Sequence, residues 1–89
     1  DPDFGNPYND IGVYLLQQHK PDEAIPWFEK AKEAKRYEPR HFPFLNLGRI
    51  YLAKGQLQRA REEFRGALTH CPDDPLAQQA IEELESKLN

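Results

Sequence analysis

The chain has 89 residues and 38% hydrophobic content, enough for one small core at a size where burial alone leaves little margin of stability. Its net charge of −3 and pI near 5.6 argue against nucleic acid as a default partner, because phosphate binding needs a basic surface that releases counterions. No apolar run is long enough to insert into a membrane, the N-terminus lacks the basic-then-apolar order of a signal peptide, and the single Cys71 excludes an internal disulfide.

Residues 1–6 read as a linker-like lead, and Asn6-Pro7 as an N-cap followed by a proline at the first helical position, where its missing N–H is harmless. The apolar spacing predicts a first helix over 7–19, ended by Lys20-Pro21-Asp22. A second helix is expected over 22–36, with Asp22 and Glu23 at the positive end of its dipole and Ala24, Ile25, Phe28 and Ala31 facing inward. Pro26 falls near its first turn, so it loosens the start without breaking the helix. The stretch 35–43 carries two prolines and reads as a loop. A third helix is predicted over 42–54 and a fourth over 57–70, joined at Lys54-Gly55-Gln56, where glycine can take the positive φ that ends a helix. Asp74-Pro75 opens a fifth helix by the same cap-and-proline logic. Its apolar stripe is Ala77, Ile81, Leu84 and Leu88, and the rest of its surface is Gln and Glu, as suits a solvating terminal element.

The chain repeats itself. Tyr8, Gly12, Ala24, Phe28 and Ala31 match Phe44, Gly48, Ala60, Phe64 and Ala67 at a constant offset of 36 residues. This aromatic and small-residue pattern, with Leu47-Gly48, Tyr51 and a closing Pro72, resembles the tetratricopeptide repeat, whose period is about 34 residues. His19 replaces the expected turn glycine, Leu15 the tyrosine and Arg36 the first closing proline, so the first copy is the looser one. The resemblance implies an all-α fold of about five helices, in antiparallel helix-turn-helix repeats stacked as a right-handed α-solenoid. As one domain over 1–89, it comprises a first repeat at about 5–38, an inter-repeat loop at 35–43, a second repeat at about 41–74 and a capping helix at 75–88. Pro2, standing before Tyr8 as Pro72 stands before Gln78, resembles the closing proline of a further upstream copy. With the absence of Met, it leads us to expect a piece of a longer repeat array.

Catalysis has little to stand on. His19, His41 and His70 sit at a turn, a loop and a helix end, with no i, i+4 spacing that would aim two of them at one metal. His70 and Cys71 are sequence neighbours, which do not face each other on a helix. Neither a nucleophile with its base nor a phosphate-binding glycine loop is visible, so no catalytic, cofactor or metal residue is assigned.

What remains is a surface. Proteins similar to this one use the concave face, lined by the first helix of each hairpin, to hold an extended peptide or a partner's helix. Carried over by position, that face comprises Asn6, Asn9, Asp10, Val13 and Gln17 in the first copy and Phe42, Leu45, Asn46, Arg49 and Ala53 in the second. Asn9, Val13, Phe42, Leu45, Asn46 and Arg49 are the expected binding residues. Leu45 lies off the Phe44-Leu47-Gly48-Tyr51 face and is expected to be an exposed apolar contact. Some family members clamp a C-terminal carboxylate; here Asn46 matches one clamp asparagine, but Asn9 and Val13 stand where the clamp's first-helix lysine and asparagine belong.

Two alternatives stay open. The hairpins can instead serve structurally, packing on neighbouring repeats or on a second copy through an uncovered N-terminal end, with Tyr14 as an exposed contact and a homodimer as the outcome. The stretch from residue 30 to 40, with five basic and two acidic residues, reads either as solvated charge complementing a helix end or as a partner-binding edge.

Overall fold

A computed structural model describes residues 6–34 and 39–88. Among them five helices follow in order: α1 (Asn6–Gln17), α2 (Pro21–Glu33), α3 (His41–Ala53), α4 (Leu57–His70) and α5 (Pro75–Leu88). There is no strand among the described residues, and no helix is long and apolar enough to cross a membrane. Consecutive helices pack on each other, and α1 also touches α3, which makes an all-α helical-repeat solenoid with Cα extents of 42 × 28 × 16 Å.

Each hairpin closes through a glycine set against an aromatic ring of its own second helix. A Cβ at Gly12 would stand 2.5 Å from Phe28 Cε1, and one at Gly48 would stand 2.7 Å from Phe64 Cζ. Both distances are below any real carbon contact, so only glycine lets these helices approach so closely. Phe28, Ala31, Leu47, Gly48, Tyr51, Ala60 and Phe64 are all buried, as the repeat pattern requires.

The two hairpin turns are the same structure made from different residues. After α1, the Lys20 N–H donates to Leu15 O (2.9 Å) and the His19 N–H to Leu16 O (3.0 Å). After α3, the Gln56 N–H donates to Tyr51 O (2.9 Å) and the Gly55 N–H to Leu52 O (3.0 Å). These paired bonds satisfy the last carbonyls of each helix and require a left-handed residue, which is Gly55 at φ 77° and His19 at φ 61°. Histidine therefore adopts here a backbone conformation that is costly for a residue with a Cβ.

Helix ends depart from the sequence expectation at the inter-repeat connection. α2 ends at Glu33 instead of running to residue 36, because Ala34 turns extended (φ −67°, ψ 132°) while its N–H still reaches Ala31 O. Lys35 and Arg36 lie outside the described residues. α3 starts at His41, so Pro43, expected in the loop, occupies the first turn of a helix, where no N–H is needed, and its side chain is fully buried. α2 runs unbroken past Pro26, which is exposed. At the start of α5, Asp74 Oδ2 accepts the Ala77 N–H at 2.9 Å, the cap expected from the sequence.

Candidate protein-interaction surface

α3 lies between α1, α2 and α4, so six of its residues are buried and only a strip along one side faces solvent. That strip is Phe42, Asn46, Arg49 and Ala53, at the helical spacings four, three and four. Phe42, Arg49 and Ala53 are exposed, and Asn46 is half-buried.

Leu45 is not on the strip. It is only 5% exposed and belongs to the main core cluster, so the expectation of an exposed leucine is corrected. One residue before Asn46, it is rotated about 100° from the open side. Asn9 is also buried, the one polar residue so placed among the described residues, and its Oδ1 accepts a hydrogen bond from Asn46 Nδ2 at 3.1 Å. A bond of this kind satisfies a polar group that would be costly to bury alone, and it joins α1 to α3. Asn9 and Asn46 are therefore spent on each other. Val13 is half-buried against the core. Of the six expected residues, Phe42 and Arg49 offer open surface.

Two recesses flank Arg49. One, of about 320 Å³, is lined by Leu16, Pro21, Ile50 and Ala53 with Arg49 and Lys54 at its edge. The other, of about 260 Å³, lies between α3 and α5 and is lined by Arg49, Leu52, Leu76, Ala80 and Glu83 among others. Lys54 is ion-paired with Asp22, whereas Arg49 has no carboxylate partner among the described residues. Leu76 is a large apolar side chain left half exposed. The sequence held a signal for it: at the offset of 34 residues that sets Glu82 opposite Gly48, Leu76 occupies the position of Phe42.

The basic stretch is partly committed to structure. Lys32 Nζ lies 2.8 Å from Glu63 and 3.0 Å from Glu29, and 4.6 Å from the centroid of the Phe44 ring. Burial pulls the Lys32 ammonium down, but hydrogen bonds and charge from Glu63 and Glu29 outweigh it and hold its pKa above the ordinary 10.5. Burial likewise pushes the Glu63 carboxyl above its ordinary 4.5, more than Lys32 draws it down. Lys30 lies over the Trp27 ring at 4.6 Å.

At the far end of α3 the structure brings together residues that spacing kept apart. One ligand atom each from His41, Cys71 and Asp74 lie within 4.8 Å of one another.

Helical hairpins with glycine-on-aromatic closure, stacked so that the first helices share an open face, define a protein-interaction scaffold of the repeat type. The family model described as tetratricopeptide repeat matches residues 15–84, and the chain belongs to that family. A comparison with curated proteins finds no match. Members of the family are typically scaffolds without enzymatic activity, and binding protein is their general role.

Proposed function

We propose that this protein captures an extended or helical segment of another protein along the face shared by α1, α3 and α5, with Arg49 at the centre. The observation that carries this reading is the unpaired Arg49 guanidinium between two apolar-lined recesses. A guanidinium so placed suits a carboxylate, which it can hold through two charge-assisted hydrogen bonds, while Leu76 supplies apolar contact on the α5 side and Phe42 does so further along the α3 strip. The favoured ligand is a peptide with an acidic residue beside a hydrophobic anchor. Residues 1–89 act as one domain in this reading, with the repeats at about 5–38 and 41–74 and the cap at 75–88.

A displayed random-peptide library selected on the domain tests this. The expected binders combine an acidic and an apolar residue, and lose at least about tenfold in affinity with Arg49→Glu or Leu76→Asp, as central contacts do. Selection of no binder, or of binders indifferent to both changes, overturns it.

A second reading has its own observation. Ile11 and Tyr14 on α1 are large apolar side chains left 37% and 59% exposed. That surface suits a homodimer or a neighbouring repeat. Sedimentation that shows a concentration-dependent dimer, lost with Tyr14→Asp, favours this reading; a strict monomer removes the dimer.

A further inference from the structure

We propose that His41, Cys71 and Asp74 form a binding site for Zn²⁺ or a similar borderline-soft divalent ion. The three come from three element ends: His41 is the first residue of α3, Cys71 follows the last residue of α4, and Asp74 caps α5. Their nitrogen, sulfur and oxygen ligand atoms lie within 4.8 Å of one another, and all three residues are half-buried.

Three features point to a metal in preference to a chance cluster. His41 Nε2 and Asp74 Oδ1 are 3.7 Å apart, beyond a hydrogen bond. That gap is close to the edge of a zinc tetrahedron, roughly 3.3–3.6 Å for nitrogen and oxygen ligands at about 2.0–2.2 Å from the ion. Asp74 is pre-oriented, because its Oδ2 is held by the Ala77 N–H while Oδ1 is the oxygen facing His41. Such an outer contact fixes a ligating carboxylate. The thiol of Cys71 is free, and a single imidazole nitrogen converges with it and with one carboxylate oxygen. One ring nitrogen near both other donors suits coordination, whereas an acid–base relay needs the two ring nitrogens to face two different partners.

The donor set selects the class of ion. A nitrogen, a thiolate and one oxygen suit Zn²⁺, while Mg²⁺ and Ca²⁺ favour oxygen alone. Three protein ligands leave the fourth position to water. On binding, the Cys71 S–H bond gives way to a sulfur–metal bond and its proton passes to solvent. The ion would tie the start of α3 to the α4–α5 turn, so loading should stabilise the fold. No metal residue was expected from the sequence because spacing arguments look along one helix, and these ligands meet only once α3, α4 and α5 have packed.

The test is titration of the reduced, metal-free full chain with Co²⁺, followed by displacement with Zn²⁺. The expected result is a one-to-one complex with a thiolate-to-cobalt charge-transfer band that Zn²⁺ abolishes. Cys71→Ser, His41→Asn and Asp74→Asn, the last keeping an oxygen for the Ala77 N–H, should each weaken binding by at least about tenfold. His70→Asn should not. A readout that needs no variant is alkylation of Cys71 by iodoacetamide, which Zn²⁺ should slow at least about tenfold through loss of the free thiolate. A cobalt complex without the thiolate band, Zn²⁺ affinity unchanged by Cys71→Ser and His41→Asn, or alkylation unaffected by Zn²⁺ overturns the proposal.

Discussion

The two hairpins can be laid on each other residue for residue, yet they are not equally enclosed. α3 has six buried residues, and over residues 7–17 α1 has two, Asn9 and Gly12. Leu47 is 0% exposed where its counterpart Ile11 is 37%, and Ile50 is 4% where Tyr14 is 59%. Pro43 is fully buried where Pro7 is exposed. The sequence pattern is shared, but burial comes from neighbours, and α3 has α2 on the side where α1 has no partner among the described residues. A repeat motif therefore fixes which residues face along the stack, and the stack decides how much each is worth.

Paired substitutions put numbers on that difference. The largest contrast is expected at the leucine position: Leu47→Ala should cost about 2–5 kcal/mol, and Ile11→Ala about 1–2 kcal/mol, since 37% of its surface already meets water. Chemical denaturation of both variants checks this, and equal losses would mean that Ile11 is covered in solution. Next comes Gly48→Leu, which drives a side chain into the Phe64 ring and should cost about 1–3 kcal/mol. An unchanged melting temperature would show that α3 and α4 do not meet there.

The turns offer a smaller, reciprocal test. His19→Gly should raise stability by about 1 kcal/mol and Gly55→His should lower it by a similar amount, because both positions are left-handed. Two losses would assign His19 a contact beyond its backbone. The smallest effect concerns the Lys32–Glu63 link between α2 and α4. With its folded pKa raised, Lys32 contributes stability that is fully present below pH 10.5 and is lost as pH rises through the folded value. Thermal melts should show a decline above that pH which Lys32→Met flattens. Glu63, raised by burial, contributes fully only below about pH 4.5 and loses that contribution as pH rises through its folded value, so acidification does not weaken the fold through this group.

How far the sequence could be read follows from the same contrast. Helix order, the Asp74 cap and the turn position of His19 rest on local spacing, and all are found in the structure. Legibility fails where a side chain's environment is set by a third helix. Leu45 has the helical phase of a near-surface residue but sits in the core, and Asn9 has a polar side chain that the fold consumes in a bond to Asn46. Phe42 and Arg49 are exposed, as their strip opposite the packed face predicts. Leu76 lies off the apolar stripe of α5, and its exposure shows only in the structure. The expected end of α2 at residue 36 fails because the helix-favouring Ala34-Lys35 run carries no stop signal, whereas Ala34 turns extended.

The helices touch almost only their neighbours along the chain, with α1 on α3 as the longer reach, bridged by Asn9 and Asn46. Contacts of such short sequence separation cost little loop entropy, so folding should be rapid, in the microsecond-to-millisecond range of helical proteins. The same geometry makes opening directional. Amide exchange should be fastest in α1 and α5, which are held from one side, and slowest in α3 and α4. A partner gripping Arg49 would then hold the part of the molecule that opens last.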